Sequence, residues 1–260
     1  MNTFLSREAA SGLRLLSRDL FRSIYPERCG VCGGADLGDG LGCAEHRLVL
    51  GLAGARCGKC AASIAAALGD GATCAQCRRE SPGYARAVAL LDYRAHDSVR
   101  AWVLALKYGR RAELARPLGA LLGARLSLEI AAAKSADSNL ERVLVPVPLH
   151  VLRRMERGYD QARLLADAAG QVALVRVVPA LARVRFTPPQ GAPGSVSRTA
   201  NVDGAFARSW FHPWAARALE DREVWLVDDV LTSGATAAEC ARAVRRLGAA
   251  RVCVLALARA

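Results

Sequence analysis

Hydrophobic and polar positions form their clearest pattern near the end of the chain. Residues 224–227 are a run of apolar side chains, typical of a strand that is buried on both faces of a parallel sheet. Residues 237–247 follow with a helical composition and end at Gly248, a residue type that often terminates helices. A second apolar run covers residues 252–257. A strand, a loop, a helix and a strand in this order predict a right-handed crossover between parallel strands.

The middle of the chain continues this alternation of elements. Residues 104–111 lead into an Ala- and Leu-rich helical stretch that extends to about Arg125. Residues 143–149 predict a strand that ends in a proline-fixed turn. Residues 183–206 are rich in Pro, Gly and Ser, which predicts a long loop. This loop is either a lid over a charged substrate or a plain surface connection. Together the elements predict an α/β fold with a parallel sheet and flanking helices.

Composition adds limits on size and on partners. A chain of 260 residues with 52% hydrophobic residues is long enough for one large domain or two unequal ones. The net charge is +12, and residues 81–260 hold 26 of the 36 basic residues against 16 of the 24 acidic ones. This surplus fits a polyanionic substrate or nucleic acid, or else an arginine-rich chain with solvated basic faces.

The first 25 residues predict an amphipathic helix. Apolar residues recur there at helical spacing, at Leu13, Leu16, Leu20 and Ile24. This helix either docks on its own domain or lies at a membrane interface. Charged residues interrupt any secretory signal, and no run approaches the roughly 20 apolar residues that cross a bilayer. We therefore expect a cytoplasmic protein without a transmembrane segment.

Seven of the nine cysteines lie between residues 29 and 77, and most are in pairs three residues apart. Two such pairs complete the shell of one tetrahedral ion. The simplest assignment is two structural zinc ions, each held by consecutive pairs, although one ion or an interleaved pairing stays open. An iron–sulfur cluster is disfavoured by the hairpin-like spacing, and disulfides by the expected reducing compartment. The ligands, pair by pair, are Cys29 and Cys32, Cys43 and His46, Cys57 and Cys60, and Cys74 and Cys77.

Two adjacent acids and a hydroxyl-rich loop follow the apolar run at residues 224–227. Hydroxyl groups, a glycine and the N–H groups at the start of a helix are suited to binding a phosphate. Asp228 and Asp229 would repel a bare phosphate, but ionised carboxylates accept hydrogen bonds and suit vicinal sugar hydroxyls. The combination predicts a ligand with a ribose 5-phosphate unit. The loop residues are Thr232, Ser233, Gly234, Ala235 and Thr236.

A group of arginines follows the strand predicted at residues 143–149. Arg153, Arg154 and Arg157 stand close to Gly158, which predicts a pyrophosphate-binding loop. Two other kinds of phosphate loop are excluded. The chain has no Gly-Lys-Ser/Thr ending of a Walker A loop, and no G-x-G-x-x-G follows a strand.

Residues 224–236 resemble the phosphoribosyl diphosphate signature of type I phosphoribosyltransferases. The shared features are an apolar run, two acids, hydroxyl residues, a glycine and a final threonine. The resemblance implies that Asp228 and Asp229 hold the ribose hydroxyls as candidate catalytic residues. It also implies that the loop holds the 5-phosphate of phosphoribosyl diphosphate, bound with Mg²⁺. The alternative is that Asp229 only caps a turn and Asp228 makes a structural hydrogen bond.

From about residue 26 to the end, the chain resembles the ComF family, which includes GntX-like members. This resemblance implies a zinc-ribbon-like domain over residues 26–82 and a type I phosphoribosyltransferase-like domain over residues 83–260, after the helix of residues 1–25. It also implies a substrate-binding role for Lys107 and a link to single-stranded DNA in natural transformation. Two departures are His46 in place of a cysteine and Asp160 in place of an asparagine. Besides the cysteine pairs and the acid pair, the shared segments are residues 106–108, 145–149, 157–161, 189–190, 198–202 and 204–206.

Two functions follow, and they belong to different classes. The first is an enzyme that transfers a phosphoribosyl group, in which the three arginines offset charge on the departing pyrophosphate. Its acceptor is not indicated by the sequence. The second is a module that binds single-stranded nucleic acid with little turnover. The aromatic content of 5% argues against a dedicated base-stacking surface in that case.

Overall fold

Five apolar strands pair in parallel and form the central sheet. The computed structural model describes residues 28–34, 42–52, 54–133, 140–185 and 204–260. The strands of the sheet lie in the order β1-β7-β6-β2-β3, and β4 and β5 form a separate antiparallel pair. The strands are β1 (Arg86–Asp92), β2 (Arg142–Pro146), β3 (Arg176–Val177), β4 (Leu181–Arg183), β5 (Phe206–Arg208), β6 (Glu223–Leu231) and β7 (Arg251–Arg259).

Helices cover both faces of the sheet, which explains why its central strands are apolar on both sides. One buried cluster joins the sheet to α2, α3 and α5, and includes Trp102, Leu118, Leu165 and Trp225. A second cluster on the other face joins it to α6 and to the β4-β5 pair. The helices are α1 (Ala75–Arg79), α2 (Asp97–Tyr108), α3 (Ala115–Ala132), α4 (Val151–Arg157), α5 (Gln161–Ala173) and α6 (Ala235–Arg246). Short 3₁₀ helices cover Ala66–Leu68, Ala112–Leu114 and Pro213–Ala215.

Small residues let α3 and α5 approach closely. A Cβ atom on Gly119 would lie 2.6 Å from the Cβ of Ala168 and 2.7 Å from the carbonyl oxygen of Leu165. A Cβ atom on Gly123 would lie 2.5 Å from the carbonyl oxygen of Ala169. Since real Cβ atoms do not approach so closely, this helix pair requires glycine at both positions.

The cysteine-rich segment lies along the β1 edge of the sheet. The Gly51 N–H donates to the carbonyl of Leu90 at 2.8 Å, and the Ala87 N–H donates to the carbonyl of Lys59 at 2.7 Å. These bonds satisfy groups on a strand edge that would otherwise stay exposed. The segment is therefore hydrogen-bonded directly to the sheet.

The predicted fold class is confirmed, whereas several local predictions need adjustment. The strand predicted at residues 224–227 continues to Leu231, and the helix predicted from residue 237 starts at Ala235. The arginine-rich segment predicted as a loop is the short helix α4. The predicted helix of residues 1–25 and most of the predicted lid lie outside the described residues. The domain limits at residues 26–82 and 83–260 stay a prediction.

Candidate active site and cysteine clusters

The carboxyl end of β6 carries the acid pair and leads into the predicted phosphate loop. Asp228 and Asp229 lie inside the strand, close to its last residue Leu231. After the strand, Gly234 has a left-handed backbone with φ at 82° and stands immediately before α6. Thr232 is exposed and residues 233–236 are half-buried. The loop is therefore open to a ligand at the amino end of a 12-residue helix.

The two acids of the pair have different partners. Asp229 is 9% exposed, and its Oδ1 accepts a hydrogen bond from Lys107 Nζ at 2.8 Å. Asp228 is half-buried, and its Oδ1 accepts from the Asp229 backbone N–H at 2.8 Å. Burial and then the charge of Asp229 raise the pKa of Asp228 to about 7, against the opposing charge of Lys107. Asp228 therefore loses its proton in the neutral range, and any ligand that prefers a carboxylate would favour that loss.

Lys107 connects the acid pair to a second segment of the chain. Burial acts to lower the pKa of Lys107, but the charge and hydrogen bond of Asp229, together with the charge of Asp228, outweigh burial and raise the pKa. Beside Lys107, the exposed ring of Tyr108 lies 4.9 Å from the guanidinium carbon of Arg157. The Tyr159 hydroxyl donates to the carbonyl of Leu106, 53 residues away along the chain, at 2.6 Å. Residues 106–108 and 157–159 thus form one unit next to the acid pair.

The three predicted pyrophosphate arginines lie together on α4, which follows the carboxyl end of β2. Arg153 and Arg157 are half-buried and Arg154 is exposed. Gly158 ends the helix with φ at 82°, a conformation that glycine adopts without strain. Since β2 and β6 are parallel neighbours, the arginines and the acid pair lie at the same end of the sheet.

Asp160 has a structural role that the sequence analysis did not assign. Its Oδ1 accepts from the Arg163 N–H at 3.1 Å and caps α5, while its Oδ2 accepts from the Leu149 N–H at 3.2 Å. Burial raises the pKa of Asp160, while these two N–H groups act against the rise. A carboxylate supplies one oxygen to each N–H, whereas asparagine has a single side-chain oxygen. The aspartate at this position therefore joins the β2 exit to α5.

Arg183 is a charged neighbour of the site that sequence reasoning missed. It ends β4, forms a backbone bridge with His150, and places its guanidinium carbon 5.4 Å from the ring centre of Phe206. Burial lowers the pKa of Arg183, and the nearby charge of Asp228 acts in the opposite direction. Arg183 could have been found from the sequence, because it is an arginine within a mostly apolar run next to the predicted loop.

The cysteine pairs assemble into two groups of four ligands, and the pairing is consecutive rather than interleaved. In each group, all ligand atoms lie within 4.8 Å of one another. The Nδ1 atom of His46 lies 3.3 Å from Cys43 Sγ, so the histidine occupies the place of a fourth ligand. Cluster 1 is Cys29, Cys32, Cys43 and His46, and cluster 2 is Cys57, Cys60, Cys74 and Cys77.

The spacing of the sulfur atoms fits a tetrahedral ion. The Sγ atoms of Cys32 and Cys43 are 3.7 Å apart, and those of Cys60 and Cys74 are 3.8 Å apart. A tetrahedral ion with zinc–sulfur bonds of ~2.3 Å places its sulfur ligands about 3.8 Å apart, whereas a disulfide needs about 2.05 Å. Burial acts to raise the pKa of Cys57, but N–H groups led by that of Cys74 outweigh it and lower the pKa to about 6. Both clusters are consistent with structural zinc.

Comparisons with known proteins identify relatives over most of the chain. The chain is 32% identical over 187 residues to the DNA utilization protein YhgH of Salmonella typhimurium, covering 72% of this chain and 77% of that protein. It is 30% identical over the same shares to the protein of that name in Escherichia coli. Competence protein F of Haemophilus influenzae is 28% identical over 189 residues, covering 72% of this chain and 78% of that protein. No family model matches the chain. Within the described ranges, no helix has both the length and the apolar character needed to cross a membrane.

Proposed function

This chain belongs to the ComF family, and we propose that it is a phosphoribosyltransferase-like protein that binds phosphoribosyl diphosphate and acts in the use of imported DNA. The observation that carries this proposal is the juxtaposition at the end of β6. Two acids, a partly exposed hydroxyl loop and the start of a helix follow one another there within nine residues, from 228 to 236. Each part suits a different group of the same ligand.

The ligand would lie across the carboxyl end of the sheet. The loop of residues 232–236 would bind the 5-phosphate through hydroxyl and backbone N–H groups. Asp229 is held by its ion pair with Lys107, whereas Asp228 has no ion-pairing lysine among the described residues. We therefore assign Asp228 as the principal acceptor for the ribose hydroxyls. Mg²⁺ carried by the diphosphate is suited to the same carboxylate oxygens.

The arginines of α4 would act on the leaving group. When the bond between the ribose C1 and the diphosphate breaks, negative charge develops on the departing pyrophosphate. Arg153, Arg154 and Arg157 supply fixed positive charge at this end of the sheet, and such electrostatic stabilisation is often the largest single contribution to catalysis. Two structural zinc ions in clusters 1 and 2 complete the proposal, because both clusters offer four ligands and leave no open position for chemistry.

Titration calorimetry with phosphoribosyl diphosphate and Mg²⁺ tests this function. We expect Asp228→Ala to weaken binding by about 10- to 100-fold, since hydrogen bonds to a charged group contribute about 1.5–3 kcal/mol. Asp97→Ala is the matched control, because the side chain of Asp97 is 99% exposed on α2. Binding heat that is absent in the unmodified protein, or equal in all three proteins, would refute the proposal.

A separate observation favours nucleic-acid binding as a second function. Although aromatic residues are few, three of them are exposed together: Trp210 is 74% exposed, Phe211 78% and Trp214 44%. The guanidinium carbon of Arg176 lies 5.2 Å from the Trp214 ring centre. Exposed rings beside arginines suit stacked bases and phosphates of a single strand. Arg176 begins β3, so this surface lies toward the amino end of the sheet, away from the acid pair.

Fluorescence anisotropy with a labelled single-stranded oligonucleotide tests this second function. Base stacking on an aromatic ring contributes about 1–3 kcal/mol, so Trp214→Ala is expected to weaken binding by at least fivefold. Leu174→Ala is the control, because Leu174 is 91% exposed but not aromatic. Binding should also weaken steeply as salt is raised. If the unmodified protein does not bind, or if Trp214→Ala binds equally well, this second function is rejected.

A further inference from the structure

Arg259 joins cluster 2 to the strand that carries the acid pair. Its Nε donates to the carbonyl of Cys60 at 3.1 Å, and its Nη1 donates to the carbonyl of Leu231 at 2.8 Å. Cys60 is a ligand of cluster 2, and Leu231 is the last residue of β6, directly before Thr232. One rigid guanidinium group therefore bridges the backbone of the cluster and the backbone at the start of the phosphate loop.

Tyr84, in the segment that connects cluster 2 with β1, forms a second contact with the phosphate loop. It is 3% exposed, and a Cβ atom on Gly234 would lie only 3.1 Å from its hydroxyl oxygen. The hydroxyl has no hydrogen-bond partner among the described residues. The phenol of Tyr84 therefore lies directly against the glycine of the loop.

A third contact reaches the helix behind the loop. Arg245, in the last turn of α6, donates through its Nε to the carbonyl of Gly83 at 3.1 Å. Gly83 belongs to the segment that connects cluster 2 with β1. The strand end, the loop glycine and the helix are therefore all in contact with cluster 2 or with the segment that follows it.

Cluster 1 has a different set of partners. Trp102 Nε1 donates to the carbonyl of His46 at 2.7 Å, and Arg111 donates to the carbonyl of Val31 at 3.1 Å. Trp102 lies on α2 and Arg111 just beyond it. The two clusters thus contact different elements, which makes cluster 1 a natural control for cluster 2.

We propose that cluster 2 supports the phosphate loop through Arg259, so that metal bound at cluster 2 strengthens binding of a phosphate-bearing ligand at residues 232–236. This inference rests on the proposed ligand-binding role of the loop. Arg259 is a positioning residue in this scheme, because it contacts the backbone at the start of the loop and not the ligand. The loop has a left-handed glycine and is partly exposed to solvent, so its conformation depends on such support from behind.

Hydrogen exchange of the ligand-free, zinc-loaded protein provides the first test. In Arg259→Met we expect the peptide covering residues 231–238 to exchange at least about tenfold faster, because the bonds from a charged donor to the carbonyls of Cys60 and Leu231 are lost. Arg222→Met is the matched control. Arg222 also donates to a backbone carbonyl, that of Ala218 at 3.1 Å, but it precedes β6 at the other end of the sheet. The control should leave exchange of the loop unchanged.

Cysteine variants and ligand titration complete the test. Cys77→Ser should accelerate exchange of the loop and weaken binding of phosphoribosyl diphosphate at least tenfold. Cys32→Ser, in cluster 1, should instead accelerate exchange over residues 97–114. The inference is overturned if Arg259→Met leaves exchange of the loop unchanged, or if the cluster 1 variant loosens the loop equally. If Cys77→Ser does not fold, Arg259→Met still decides. If the unmodified protein does not bind phosphoribosyl diphosphate, the proposed function is rejected. The exchange measurement of the loop is made without ligand and therefore tests the support by Arg259 separately.

Discussion

Replacing Asp228 by asparagine is expected to stabilise the ligand-free protein at pH 8 while it weakens ligand binding. The pKa of this carboxyl group is raised from 3.8 to about 7 by burial and by the charge of Asp229. The folded protein therefore holds the proton more tightly than the unfolded chain does. The protonated form of Asp228 contributes to stability, and this contribution is fully present below pH 3.8. The contribution is lost as the pH rises through 7, because ionising Asp228 costs free energy in the folded protein but not in the unfolded chain.

The pKa values set the size of the effect. A difference of about three pKa units corresponds to about 4 kcal/mol at pH 8, at 1.36 kcal/mol for each unit. This value is a ceiling, because Asp228 is half-buried and its carboxylate can turn toward water. We expect Asp228→Asn to increase the free energy of unfolding at pH 8 by at least about 1 kcal/mol, which is a rise in Tm of about 2–4 °C or more.

Urea denaturation at several pH values measures this effect. The gain from Asp228→Asn should shrink as the pH falls from 8 toward 4, because the carboxyl group of the folded protein is then neutral and the cost of ionising it disappears. Asp97→Asn, at an exposed acid on α2, should show no such trend. The reasoning is refuted if Asp228→Asn destabilises the protein at pH 8, or if its effect is the same at pH 8 and pH 4.

Three further predictions concern other parts of the molecule. Lys107→Met should lower the free energy of unfolding at pH 8 in urea denaturation, because it leaves the largely buried Asp229 without its ion pair. Removing one partner of a fully buried pair costs about 3–5 kcal/mol, and we expect about 2 kcal/mol here because the Lys107 side chain is 21% exposed. An unchanged stability would contradict the pairing. Gly119→Ala should cost about 1–3 kcal/mol in the same assay, because the added methyl group meets the carbonyl of Leu165 at 2.7 Å, and a neutral result would exclude the tight helix contact. Metal analysis should find two zinc ions in each chain and one in Cys57→Ser; equal contents would contradict separate sites.

The periodicity of apolar residues was sufficient to predict the central crossover, because a buried parallel strand carries an unbroken apolar run. It was not sufficient for α2. That helix carries Lys107 and Arg100 among its apolar residues, and its burial depends on residues distant in sequence, such as Gly30 and His46, which lie against Trp102. The helix α4 was predicted as a loop because all of its residues are at least partly exposed, so no apolar stripe marks it.

The candidate site shows the same limit. The acid pair and the loop are contiguous, so the sequence alone indicated them. Lys107 was named only through a family resemblance, and its ion pair with Asp229 depends on how α2 lies against β6. Arg183 and Arg259 were not identified, because their roles come from strand ends that meet only in the folded sheet. Contacts of this kind have no signature in local composition.

These long-range contacts give the cysteine-rich segment a specific relation to the site. Cluster 1 is bonded to α2, whose last turn carries Lys107, and cluster 2 is bonded through Arg259 to the strand end before the loop. The lysine and the loop lie on different elements, so their separation depends on how α2 and β6 are held. The position of β6 is fixed by its neighbouring strands in the sheet. The helix α2 packs on one face of the sheet, and its Trp102 is hydrogen-bonded to His46 of the cysteine-rich segment. We therefore expect the distance between the cation and the loop to depend on both clusters, even though neither contacts the proposed ligand.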